Sequence, residues 1–249
     1  MAEDLVDVEQ APTITKRSLD KQAADILRHR IISGVFASGA RLVEADLSKE
    51  MSLSRGTVRA ALNDLVRDGL VKQTAYTKWV VAEISATDAW ELFTLRSALE
   101  GLGARLAATR ITAAASERLL GIFEDLKEAS RSGQWGALTK ADFGLHKAII
   151  EIAGHGRLAE QYRLIEQQIR MLIGSSNALV PTTEEVVAQH RPMVEAIVTG
   201  DAGRAEQLAR DHNLQEGQVF LEHAGRVEAP PTNAVDLGGL LPIIGRSAA

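Results

Sequence analysis

Four residues in the second half of the chain have the chemistry to hold a cation: Asp142, His146, His190 and His212. Asp142 and His146 stand four apart, which puts a carboxylate and an imidazole on one face of a helix. Three imidazoles and one carboxylate suit zinc, nickel, manganese or iron and leave room for a further ligand. Helical histidines also serve as plain core or surface residues, so spacing alone leaves both readings open. A second cluster, Ser54-Arg55-Gly56-Thr57-Val58-Arg59, has the chemistry to contact nucleic acid. Arg55 and Arg59 share a face, and a guanidinium can donate two hydrogen bonds to guanine O6 and N7. Ser54 and Thr57 can reach phosphates or base edges from a helix N-terminus, which itself attracts phosphate. Arg41 precedes the neighbouring helix and could reach groove or backbone. Taken singly, each of these arginines reads better as a solvated charge; it is the set, followed by the hairpin, that reads as a DNA-binding surface.

The elements that must carry these residues follow from periodicity and punctuation. Leu19, Ala23, Ile26, Leu27 and Ile31 recur at helical spacing, and Ser33-Gly34 stops that helix. Glu44 to Met51 reads as a second short helix with Ala45 and Leu47 inward. Ser54 is the expected N-cap of a third, Arg55 to about Asp68, whose inner face is Val58, Ala61, Leu62 and Leu65. Gly69 ends it. Leu70–Gln73 and Trp79–Ala82 then read as two short strands around a polar turn. After Ser85 nothing reads as a strand. Six helices are expected, roughly 87–108, 113–132, 134–154, 156–178, 183–199 and 201–223, with connections short enough to make neighbours largely antiparallel. The fold expected is therefore mainly α, a winged helix-turn-helix over 17–84 followed by an all-helical bundle over 85–223. Residues 1–16 and 224–249 read as disordered or loose tails, the latter containing an apolar run, Leu237–Ile244.

Composition narrows the function classes. The 249 residues contain no cysteine, which excludes disulfides and thiolate metal sites. The first ten residues are acidic and lack the parts of a signal peptide, and no apolar run is long enough to span a membrane, so a cytoplasmic protein without a membrane partner is expected. The net charge of -5 is unevenly spread: residues 16–84 carry twelve Lys/Arg against eight Asp/Glu, whereas 85–249 carry sixteen against twenty-one. A local basic face is what phosphate binding needs.

The run Ile31 to Leu47, with Arg41-Leu42-Val43-Glu44, then Leu53-Ser54-Arg55-Gly56-Thr57-Val58-Arg59-Ala60-Ala61-Leu62 and Asp68-Gly69-Leu70-Val71, resembles the GntR family of bacterial regulators. The resemblance implies that Arg41, Arg55 and Arg59 contact a double-stranded, palindromic operator and that a wing tip enters the adjacent minor groove. Two features depart from the family. Ser38 and Gly56 stand where proline is usual, and Tyr76-Thr77-Lys78-Trp79 occupies a wing tip that usually carries glycine, leaving Lys78 as the phosphate contact there.

Residues 85 to about 223 are similar to the FCD effector domain of the FadR-type branch, in its shorter, six-helix VanR-like form. The similarity lies in Glu91 to Glu100, Asp142-Phe143-Gly144-Leu145-His146, His190, Gly200-Asp201 and His212. It implies that Asp142, His146, His190 and His212 hold a divalent cation, zinc first and nickel, manganese or iron as alternatives. His29, His155 and His223 match no motif position and are expected at the surface. The family also places an arginine, here Arg96, toward the cavity. Arg96 would then clamp the carboxylate of a small organic acid; the competing assignment is an i, i+4 ion pair with Glu100. The regulator expected is a homodimer joined through its second domain, most simply a repressor whose effector weakens operator binding. Two alternatives remain: a metal-sensing or metal-stabilised regulator without organic effector, and a metal-dependent enzyme. Against the enzyme stand the lack of an HExxH, a P-loop or a nucleophile elbow.

Overall fold

The computed structural model describes residues 17–74 and 78–225. The expected tails and the wing tip at Tyr76-Thr77 lie outside the described residues. In chain order the elements are α1 (Leu19–Ile32), β1 (Arg41–Leu42), α2 (Glu44–Glu50), α3 (Arg55–Arg67), β2 (Val71–Thr74), β3 (Lys78–Val81), α4 (Ala86–Thr109), α5 (Ala113–Arg131), α6 (Trp135–Ile152), α7 (Gly156–Asn177), α8 (Thr183–Val198) and α9 (Ala202–Gly225). This is the mainly helical architecture that the sequence patterns predict.

In the N-terminal part, α1 to α3 pack over a three-stranded antiparallel sheet of order β1-β3-β2. Ser54 caps α3 by accepting a hydrogen bond from the Thr57 N–H at 3.1 Å, and Val58, Ala61, Leu62 and Leu65 form its buried face. Gly69 ends α3 at a φ of +72°, a backbone state in which a side chain would be strained. Two details differ from expectation. Strand β1 has no sequence signal: two residues carry no periodicity, and it exists because Leu42 pairs with Trp79 and is buried beneath the sheet. Helix α1 buries Ala23, Ala24, Leu27 and Ile31, while Leu19 and Ile26 face solvent. Its packing partner α3 therefore meets an alanine-lined face, not the widest apolar one.

The bundle α4–α9 has a conventional apolar core, with Leu119, Phe123 and Leu126 of α5 meeting Leu145 and Ile149 of α6 and Val194 and Ile197 of α8. Helix α4 opens with a capping box formed by Ser85 and Asp88. It packs closely along α9. A Cβ at Gly101 would lie 2.5 Å from Cγ of Arg210, and one at Gly217 would lie 2.9 Å from Cγ of Phe93. The two parts touch through α7: Met171 packs against the N-terminal core, and the side chain of Gln168 lies over Gly69. No helix among the described residues is long and apolar enough to cross a membrane.

The α4–α9 approach leaves no free space for a side chain at Gly101 or Gly217. Gly217→Val should lower stability by about 1–3 kcal/mol through overpacking against Phe93. Denaturant unfolding of the variant would show this as a lower midpoint at unchanged slope.

Candidate functional site

Helix α6 is buried along most of its circumference, and Asp142 and His146 form the polar stripe in that otherwise apolar surface. His190 projects from α8 and His212 from α9 toward the same point. The three imidazoles offer nitrogens that all lie within 4.8 Å of one another, and all three are buried. The Oδ1 of Asp142 is 3.2 Å from the Nε2 of both His146 and His190, and those two nitrogens are 3.0 Å apart. The structure thus brings together the four residues singled out as cation ligands. His29, His155 and His223 are exposed, as expected.

Neighbouring groups decide which ring nitrogen of each histidine faces the centre. The Nδ1 of His190 lies 2.7 Å from the Val186 carbonyl, which can only accept, so Nδ1 carries the proton and Nε2 turns inward. The Nδ1 of His146 lies 2.8 Å from Glu100 Oε2, which sets the same tautomer. Asn177 donates to the outer oxygen of Asp142 at 2.9 Å. Partners of this kind orient metal-binding side chains. Three of the donors, those of Asp142, His146 and His190, are also spaced for a divalent ion. Bond lengths near 2.1 Å require donor–donor separations of about 3 Å in six-coordination and about 3.4 Å in four-coordination, which brackets the observed 3.0 and 3.2 Å. Asp142 Oδ1 and His212 Nε2 are buried without a hydrogen-bond partner, as are Arg96 Nη2 and Asn213 Oδ1. Orphans of this kind each cost about 1–3 kcal/mol when nothing satisfies them.

Beside this cluster lies a buried ionic group. Arg96 is fully buried; its Nε donates to Glu100 Oε1 at 2.8 Å and its Nη1 to Glu216 Oε2 at 3.0 Å. The i, i+4 ion pair with Glu100 therefore exists, and Arg96 has a second acidic partner besides. Tyr162 Oη and Asn213 Nδ2 also donate to Glu100, each at 2.9 Å. Burial alone would raise the Glu100 carboxyl, but Arg96 and His146 outweigh it and hold the group well below the ordinary carboxylate range. Burial lowers His146, yet Glu100 overcomes it and pushes the imidazole up to about 9. His212 goes the other way, driven down by burial and by the neighbouring His190 and His146. Tyr162, Asn177, Asn213 and Glu216 were not singled out from sequence. Only Glu216, four residues after His212 on one helix face, carried a usable signal.

The arginine cluster lies on the opposite part of the chain. Arg55 and Arg59 are exposed one turn apart at the start of α3, and Arg41 is exposed on β1. Arg59 makes a two-pronged pair with Glu44 of α2 at 2.9 and 2.8 Å, and the Trp79 indole donates to the same carboxylate at 2.9 Å. Arg59, with the help of Trp79 and against burial, holds Glu44 below the ordinary carboxylate range. The Ser54 hydroxyl is engaged in capping and lies 2.8 Å from Thr57 Oγ1. Lys78 is exposed at the start of β3.

Residues 91–215 match the FCD domain family, and residues 19–74 match the gntR family of bacterial regulatory proteins. A related protein of Paenarthrobacter nicotinovorans, described as a probable D-xylose utilization operon transcriptional repressor, is 26% identical over 199 residues, 80% of this chain and 87% of its own. The HTH-type transcriptional repressor GlaR of Escherichia coli K12 is 26% identical over 199 residues, 76% of this chain and 89% of its own. The solved structure of E. coli McbR/YncC is similar with a TM-score of 0.70 at 21% identity, covering 84% of this chain and 99% of that one. At that identity the likeness concerns the fold.

His146 makes the metal-free protein sensitive to pH. Its folded value of about 9 stands above the ordinary 6.5. The stability it adds is complete below pH 6.5 and is lost as pH rises through 9, a change on the order of 3 kcal/mol. Chelator-treated protein should therefore lose thermal stability between these values. His146→Asn should flatten that part of the profile.

Proposed function

The chain belongs to the GntR family of bacterial regulatory proteins and carries an FCD domain, and from this premise we propose that it is a dimeric cytoplasmic repressor whose helical bundle holds a divalent cation and senses a small organic acid. That it is a DNA-binding transcriptional regulator follows from the family. The acid-sensing reading rests on one observation: the connected cluster of buried histidines, Asp142, Arg96 and Asn213 contains four buried polar atoms without partners, Asp142 Oδ1, His212 Nε2, Arg96 Nη2 and Asn213 Oδ1. Asp142, His146, His190 and His212 would hold the ion, zinc first among the candidates. A bound ion would offer an open position to a carboxylate oxygen. Arg96 would receive the same carboxylate through its unpartnered Nη2. Acid binding would then favour an arrangement of the two DNA-binding parts that fits the operator less well.

At the DNA, Arg55 and Arg59 would read base edges in the major groove. Arg41 would contact groove or backbone, and Ser54, Thr57 and Lys78 would position the phosphates. Arg59 would reach DNA by turning away from Glu44. The dimer would form over α4 and α7, where Leu95, Leu102 and Leu164 are between 40% and 57% exposed. Such a surface, repeated by a two-fold axis, is self-complementary. One observation favours a second reading, a purely metal-dependent regulator: Arg96 already holds two carboxylates.

Thermal shifts with metals and small carboxylic acids decide between these readings. Under the sensor reading an acid stabilises metal-loaded wild type and leaves both chelated protein and His190→Ala unmoved. If metal alone stabilises and no acid acts, the effector reading is wrong. Arg55→Ala should weaken binding to the operator fragment by about 1–3 kcal/mol. Unchanged specific binding in that variant would remove Arg55 from the reading surface.

A further inference from the structure

Two carboxylates flank Arg96, and their bonding is unequal. Glu100 is saturated: Arg96 and Tyr162 donate to its Oε1, and Asn213 and His146 to its Oε2. Glu216 has one good contact, the 3.0 Å bond from Arg96 Nη1 to its Oε2. Its other oxygen stops 3.5 Å from His212 Nε2, and that nitrogen counts among the buried atoms without a hydrogen-bond partner. The second terminal nitrogen of Arg96, Nη2, is likewise without a partner. A guanidinium prefers to grip a carboxylate with two parallel bonds. Here it grips Glu216 with one. The glutamate is tethered to α9 where that helix runs close to α4: a Cβ on the next residue, Gly217, would lie 2.9 Å from Cγ of Phe93. With its side chain only 9% exposed, Glu216 places its carboxylate between Arg96 and His212, bonded to the first at 3.0 Å and short of the second at 3.5 Å.

We infer that Glu216 is an internal stand-in for the effector: its carboxylate occupies the seat between Arg96 and His212, and a small monocarboxylate binds by displacing it. The inference rests on the acid-sensing reading and names the residue that opposes the ligand. An untethered carboxylate can turn to meet both Nη1 and Nη2, which Glu216 cannot. Glu100, with every lone-pair direction used, stays in place. Displacement exchanges one carboxylate for another and leaves the local charge nearly unchanged once Glu216 reaches solvent. A ligand with one carboxylate suits this exchange better than one bringing two.

The test uses the full-length, metal-reconstituted protein and acetate as the probe, with metal stoichiometry measured on every sample. Glu216→Ala removes the stand-in, and Glu216→Gln keeps its shape while removing its charge. Glu206→Ala, which breaks a pair with Arg105 away from the cluster, is the control. Calorimetric titration should give Glu216→Ala an acetate affinity about tenfold or more above wild type, the worth of one freed charge-assisted hydrogen bond. Glu216→Gln should fall between the two, and the control should match wild type. If Glu216→Ala does not fold, an affinity of Glu216→Gln no higher than wild type overturns the inference. If wild type binds acetate and neither variant binds it more tightly, the stand-in role is wrong while acid sensing stands. Loss of metal from the variants would make Glu216 a ligand and also overturn the inference. If metal is retained and no protein binds acetate, the acid-sensing reading fails and takes this one with it.

Discussion

A carboxylate can be buried in a helical bundle only if cations and donors surround it, and Glu100 is where this bundle meets that condition. Its two oxygens collect donors from four helices: Arg96 on its own α4, His146 on α6, Tyr162 on α7 and Asn213 on α9. Apolar packing alone tolerates small slides of one helix past another. This cluster does not, because a slide of one residue would strand a charge, and removing one member of a buried pair costs roughly 3–5 kcal/mol. Glu100 thus fixes the depth at which four helices meet. It also fixes the ring of His146 in the orientation that turns Nε2 toward Asp142 and His190.

The same condition explains the composition of α4. Charged groups at the centre of a helix pair need the helices close, and closeness needs small side chains. Gly101, Ala104, Ala107 and Ala108 are all buried on α4. Gly217 answers from α9, next to Glu216 and one turn beyond His212. The small residues and the ionic residues are therefore one feature. The glycines set the distance at which Arg96 reaches across to Glu216.

What could be read from the sequence divides along the same line. Local signals were sufficient for the helices, for the Ser54 cap, for the inner face of α3 and for the i, i+4 pairs Asp142–His146 and Arg96–Glu100. Family motifs brought His190 and His212 into one set with the α6 pair. Long-range packing was not legible. Tyr162 and Asn177 lie on α7 with no motif of their own, and only the crossing of α7 over α4 and α6 brings them to Glu100 and Asp142. Strand β1 is too short to carry a pattern and is made by its partner β3. The phase of α1 is hidden for a related reason: Ile26 is more apolar than Ala24, but α3 approaches closely enough that the smaller residue is the one buried.

Helix α7 touches both parts of the molecule. One face supplies Tyr162 and Asn177, which hold Glu100 and Asp142. Another carries Gln168 over Gly69, at the turn that ends α3, and Met171 against the N-terminal core. Both sets of contacts sit on one uninterrupted helix of 22 residues. Gly69 makes this contact unusually direct: with no side chain in between, Gln168 rests on the backbone that sets the end of α3. The N-terminus of that same helix presents Arg55 and Arg59. A tilt of α7 would therefore bear first on the far end of α3, the helix whose N-terminus carries Arg55 and Arg59.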